Sequence, residues 1–260
     1  MASEKTTIAD MVQKHLGRSD WKSAIAEMEK LFSFDQDPMI RVRIGDARRK
    51  MNQMAEAVKE YIHAADLYAD KGFVIKALAQ YKLALRLDPA NKDAIRKMEQ
   101  LHSNKTVSEL KLEPVEDGIP QPTRSVIPLF SDLTREEFNE FTKRMILHTV
   151  PAGKAIVNEG DTGRSIFVLT RGAVRVVTTI SGKKVELAVL QSSDFFGEIA
   201  FLTGMPRTAT VETTEESDVL EVAEKDLNDM INKSPRIREV LGNYHAMRAQ
   251  STLKKVKEVI

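Results

Sequence analysis

At 260 residues with a formal net charge of +1, the chain has length for one or two domains with cores of their own, and its charge balance gives no pull towards nucleic acid or an acidic membrane surface. It has no cysteine, which removes disulfides, thiolate catalysis and cysteine-based zinc sites, and His15, His63, His102, His148 and His245 show no metal-ligand spacing. The start, Met1-Ala2-Ser3-Glu4-Lys5, leads into no apolar signal region and no apolar run approaches the ~20 residues of a membrane span, so a soluble, cytoplasmic chain without membrane insertion or metal is expected.

Residues 6–104 are rich in Ala, Lys, Glu, Met and Leu. Apolar residues recur at helical spacing, as at Ile25, Met28, Leu31 and Phe32. Breaks at Gly17-Arg18-Ser19-Asp20, Asp35-Gln36-Asp37-Pro38, Met51-Asn52, Asp70-Lys71-Gly72 and Leu87-Asp88-Pro89-Ala90-Asn91 divide the segment into about six short helices. None is long enough to be stable alone, so they must stack. Tyr61, Ala64, Ala65, Tyr68, Gly72, Ala77, Tyr81, Ala84 and Pro89 put small residues where helices cross and tyrosines in the gaps beside them. This order resembles a tetratricopeptide repeat, whose period is about 34 residues. An overlapping match uses Ile44, Gly45, Ala57, Tyr61 and Ala64, and a looser one Leu16, Gly17, Trp21, Ala24 and Met28. Roughly three repeat-like units are expected. The resemblance implies helical hairpins that present a face to a protein partner; the alternative is that they only support the second domain.

Residues 105–123 carry Pro114, Pro120, Pro122 and Gly118 and read as a semi-extended tether. A second domain spans residues 124–250. It opens with a helix that Ser131 or Asp132 caps and in which Glu136, Glu137, Phe138 and Phe141 form the first turns. Strands follow at 146–150, 155–157, 165–170, 173–180, 185–190, 208–213 and 219–222, with turns at Pro151-Ala152-Gly153, Glu159-Gly160-Asp161, Arg171-Gly172 and Ser181-Gly182-Lys183. About eight short strands with glycine corners make a jelly-roll barrel. The fold class is therefore α+β and multidomain. Asp161-Thr162-Gly163 matches the aspartic-protease tripeptide, but that chemistry needs two carboxylates sharing a proton, and no second copy exists. No Gly-x-Ser-x-Gly elbow, P-loop or zinc-protease helix is present either, so no enzyme is expected.

The stretch Phe196-Gly197-Glu198-Ile199-Ala200-Phe201-Leu202-Thr203-Gly204-Met205-Pro206-Arg207-Thr208-Ala209-Thr210 carries the chemistry. Gly197 lets backbone approach a phosphate closely. A helical turn after it would offer N–H groups, and Arg207 a two-pronged donor. Glu198 repels phosphate and needs another partner, such as a sugar hydroxyl that donates to it. Read apart, Gly197 is an ordinary turn and Glu198 with Arg207 a surface ion pair; read together they describe a ribose phosphate site. The stretch closely resembles the phosphate-binding cassette of the cyclic nucleotide-binding domain family, and the likeness runs from about Val126 to Met247. It departs at Ser193, where members often have Gly, and at Phe201, where Leu is more usual. The resemblance implies that Glu198 holds the ribose 2′-hydroxyl and Arg207 the cyclic phosphate, with Gly197, Ile199 and Ala200 supplying backbone and Thr208 at the small position after the arginine. It implies cyclic AMP as ligand, with cyclic GMP left open because the Thr208 hydroxyl could meet a guanine amino group, or equally serve the phosphate or the turn.

The tail reads as a helix over 223–232 and a second from Pro235 towards Ile260, with Val240, Leu241, Tyr244 and Met247 as its apolar stripe and Gly242 weakening its middle. The family closes such a helix over the base, and many members pair it with a second copy. Tyr244 and Met247 are the lid candidates; packing on the roll is the alternative for both. No helix-turn-helix follows, and Lys254-Lys255-Val256-Lys257 reads as a solvated helix face, so no nucleic-acid partner is expected. The chain reads as a regulatory adaptor that senses a cyclic nucleotide and holds a protein partner. A constitutive scaffold whose roll is only structural or dimerising is the alternative.

Overall fold

The computed structural model describes residues 2–103, 135–180 and 182–259. The expected tether at 105–123, the caps Ser131 and Asp132, Ser181 of the hairpin turn, and the side chains of Lys254, Lys255, Val256 and Lys257 lie outside the described residues. The chain divides into two compact units, residues 1–104 and 105–260.

The first unit is all helix: α1 (Ala2–Gly17), α2 (Trp21–Phe34), α3 (Pro38–Lys50), α4 (Met54–Asp70), α5 (Val74–Leu87) and α6 (Lys92–Ser103). Each expected break falls between two helices; side-chain caps mark three of the helix starts, while Gln53 before α4 and Phe73 before α5 make no side-chain cap. Asp20 accepts from the Ser23 N–H at 3.2 Å and Asp37 from the Met39 N–H at 2.9 Å, with Pro38 at the first helical position. Asn91 accepts from the Ala94 N–H at 3.0 Å. Helices α1 to α3 share a core of Val12, Ala24, Ile25, Met28, Ile40, Ile44 and Ala47.

Further along, one interaction recurs. The hydroxyl of buried Tyr61 on α4 donates to Asp46 on α3 at 2.8 Å, and that of Tyr81 on α5 donates to Asp66 on α4 at 2.6 Å, each pair 15 residues apart. Burial, then the Asp66 carboxylate, pushes the Tyr81 phenol pKa up, so it stays a donor. Gly45 permits the first pairing: a Cβ there would lie 2.7 Å from Cε1 of Tyr61.

The second unit runs α7 (Arg135–Arg144), β1 (Ile146–Val150), β2 (Ala155–Val157), β3 (Ile166–Arg171), β4 (Ala173–Ile180), β5 (Lys183–Gln191), β6 (Phe195–Phe196), α8 (Glu198–Thr203), β7 (Thr210–Thr213), β8 (Ser217–Val222), α9 (Glu224–Lys233) and α10 (Arg236–Val259). Among the described residues its eight strands form two four-stranded antiparallel sheets, ordered β1-β8-β3-β6 and β2-β7-β4-β5. Between them sit Val157, Phe167, Leu169, Val174, Leu190, Phe196, Val211 and Val219. Each sheet buries one apolar face against the other, which is how such a double layer makes its core. A buried ion pair braces it: Arg171 Nε donates to Asp218 at 2.6 Å, and Thr149 donates to the other oxygen of Asp218 at 2.6 Å. Strand β7 starts two residues later than expected because the chain up to Arg207 is committed to a neighbouring turn, described below. Ser193, at the position where glycine was the family expectation, has φ +86°.

Candidate ligand-binding site

Strand β6 has only two residues, paired with Phe167 and Val168 of β3. Gly197 then turns the chain with φ +96°, a conformation that costs any other residue strain. It also leaves room. A Cβ on Gly197 would lie 2.7 Å from both Arg207 Nη1 and the Ser165 carbonyl oxygen. Six residues of helix α8 follow, and the chain returns through Met205 and Pro206 to Arg207.

Main-chain bonds fix Arg207 on both sides. Its N–H donates to the Asp161 carbonyl at 2.8 Å and its carbonyl accepts from the Gly160 N–H at 2.8 Å. Asp161 in turn accepts from the Asn158 N–H at 2.9 Å. The Asp161-Thr162-Gly163 tripeptide thus belongs to a corner turn that seats the arginine.

The Arg207 side chain points inward and is only 6% exposed. Its guanidinium donates to the Gly197 carbonyl at 3.1 Å and the Ser165 carbonyl at 2.8 Å. Nε is buried with no hydrogen-bond partner. Among the described residues no carboxylate pairs with it; its acceptors are carbonyl dipoles. Burial pulls its pKa down, while Asp161, Glu221 and Glu198 oppose that from further away. An arginine stays protonated regardless, so the site holds a buried cation without an ion-paired counter-charge, a costly arrangement unless an anion joins it.

Glu198 is 2% exposed and is paired, though not with Arg207. Its Oε2 lies 2.9 Å from Nη1 of Arg248 on α10. The second terminal nitrogen of Arg248 donates to the Phe195 carbonyl at 2.6 Å, and its guanidinium lies 5.2 Å from the Phe195 ring centroid. The surface-pair alternative for Glu198 and Arg207 therefore does not describe this structure. Gly197, Glu198 and Arg207 come together; Ala200 is buried behind them and Ile199 half-buried. Thr208 is exposed. Of the two lid candidates, Tyr244 packs its ring 4.8 Å from that of Phe195, whereas Met247 is 43% exposed. Sequence reasoning missed Arg248. The signal was there: it lies one helical turn beyond Tyr244, on the same stripe.

The two-sheet roll thus buries an arginine and a glutamate around one left-handed glycine, with a helix laid against them, a corner whose chemistry suits a small anion. Residues 147–234, within the second unit, match the model of the cyclic nucleotide-binding domain family. The chain is 32% identical over 117 residues to a cyclic nucleotide-gated potassium channel of Rhizobium etli, covering 45% of this chain and 32% of the channel. It is 34% identical over 85 residues to a cAMP-dependent protein kinase regulatory subunit of Yarrowia lipolytica, covering 33% and 22%. It is 35% identical over 105 residues to a cGMP-dependent protein kinase of Eimeria tenella, covering 40% and 10%. The chain thus spans a third or less of the length of these curated relatives. Among the described residues no helix is long and apolar enough to cross a membrane.

Proposed function

We propose that the second unit binds a 3′,5′-cyclic purine nucleotide, cyclic AMP or cyclic GMP, and that the chain acts as a regulatory adaptor. The observation that carries this reading is Arg207: a buried guanidinium with an unpartnered nitrogen and, among the described residues, no carboxylate in ion-pair reach. A cyclic phosphate carries a single negative charge and would supply the missing counter-ion. Backbone at Gly197, Ile199 and Ala200 lines the same corner. Glu198 is the acceptor for a ribose hydroxyl, and Thr208 stands after the arginine where a base or phosphate could meet its hydroxyl. Relatives named for cAMP and for cGMP match about equally well, so the ligand class is given as both.

Ligand binding would favour whichever position of α10 contacts the filled site better. The recurring tyrosine–aspartate bond of α3 to α5 supports a tetratricopeptide-like reading of the first unit, whose face would hold the protein that receives the signal.

Calorimetric titration of the purified chain with cyclic AMP, then cyclic GMP, tests the reading, with Arg207→Glu as control. Binding to the wild type, weakened at least about a hundredfold in the control while circular dichroism stays unchanged, is the expected result. Equal affinity in the control, or no heat and no thermal shift with either nucleotide, would overturn it.

A further inference from the structure

Arg248 reaches the cassette from 50 residues away and grips it on both sides of Gly197. One terminal nitrogen holds Glu198 at 2.9 Å and the other holds the Phe195 carbonyl at 2.6 Å. Glu198 is buried and Arg248 is the cation at its carboxylate. A buried carboxylate beside an anion-binding arginine poses a problem for any anionic ligand, because it repels what the arginine attracts. Counting the three charged side chains that meet at the cassette resolves it, with Asp161 and Glu221 acting on Arg207 from further away: Arg207 contributes one positive charge, Glu198 one negative and Arg248 one positive. The net is a single positive charge, which matches a phosphodiester monoanion. Without Arg248 the net would be zero, and Glu198 would oppose the ligand in a low-dielectric site.

We infer that Arg248 is a positioning residue that neutralises and orients Glu198, so that its carboxylate can accept a ribose hydroxyl next to a bound phosphate. The inference rests on the cyclic nucleotide reading above. It assigns Arg248 a role that works through Glu198, and it predicts that Arg248 stays in place when the ligand binds. Because the same guanidinium belongs to α10, it also ties the occupancy of the site to the seating of that helix.

A double-mutant cycle on the full chain tests this. Cyclic nucleotide affinity is measured for wild type, Arg248→Gln, Glu198→Gln and the double variant, with Arg248→Lys as the conservative replacement. Arg248→Gln is expected to weaken binding at least about tenfold when Glu198 is present and less than about threefold when residue 198 is already Gln. Arg248→Lys should recover most of the loss, since it keeps the charge. Equal losses in both backgrounds would mean that Arg248 matters only for folding of the helix. Tighter binding in Arg248→Gln would mean that Arg248 competes with the ligand for Glu198. Either result overturns the inference while leaving the ligand reading intact. A wild type that binds neither nucleotide overturns the ligand reading itself, and the inference with it.

Discussion

Replacing Gly197 with alanine tests how the cassette is built, because two separate costs fall on one methyl group. The first is conformational: at φ +96° an L side chain costs about 1–2 kcal/mol. The second is steric. The added carbon would lie 2.7 Å from Arg207 Nη1 and from the Ser165 carbonyl. The arginine end can swing away, but the carbonyl is backbone leading directly into β3, so the corner itself must shift, for about another 1–2 kcal/mol. Together the loss is about 2–4 kcal/mol, which for a unit of this size lowers its Tm by roughly 5–15 °C. The assay is differential scanning calorimetry, following the transition of the second unit, with nucleotide titration on the same samples. Affinity should fall at least about tenfold, because Arg207 loses its Gly197 carbonyl and its seat. A Gly197→Ala chain whose Tm is unchanged within about 2 °C and which binds as the wild type does would refute the argument from both φ and close approach.

Three further outcomes follow from the same structure. Arg171→Met strands the fully buried Asp218 carboxylate and should destabilise the second unit by about 3–5 kcal/mol in urea unfolding, whereas Glu216→Gln, whose partner nitrogen is 3.1 Å away at a part-exposed site, should cost less than about 1 kcal/mol. Tyr61→Phe leaves Asp46 without its phenol donor and should lower the stability of the first unit by about 1–3 kcal/mol, read from its own denaturant transition. Ser19→Gly relieves a serine at φ +56° after α1 and should raise the Tm of the first unit by a few degrees, corresponding to about 0.5–1 kcal/mol.

The helices of the first unit and the strands of the roll were legible because both are written in local code. Asp20, Asp37 and Asn91 announce helix starts, and the glycines at 160, 172 and 182 fall at corners where the backbone does take positive φ. The cassette was legible for another reason: its order of residue types is unusual enough to carry a chemical reading. What sequence did not reveal was depth and reach. Nothing local indicates that Arg207 turns inward onto carbonyls, since that depends on the left-handed turn at Gly197 and on the Gly160–Asp161 corner clasping its main chain. Helical spacing does put Arg248 one turn beyond Tyr244, but nothing in it names Glu198, 50 residues earlier, as its partner, because a long-range ion pair has no period. Helical spacing together with the family resemblance nominated Met247 for the lid, yet that side chain is exposed and its neighbour Arg248 reaches the cassette.

Helix α4 has a consequence for anyone who shortens this chain. It sends a phenol back to α3 through Tyr61 and offers a carboxylate forward to Tyr81 of α5 through Asp66. A scissor cut on either side of α4 therefore severs a bond and bares a buried ring or its acceptor, so no fragment that starts or stops there inherits a finished surface. Trimming that respects the molecule treats α3, α4 and α5 as indivisible, and fragments divided within them should be harvested largely from the insoluble fraction.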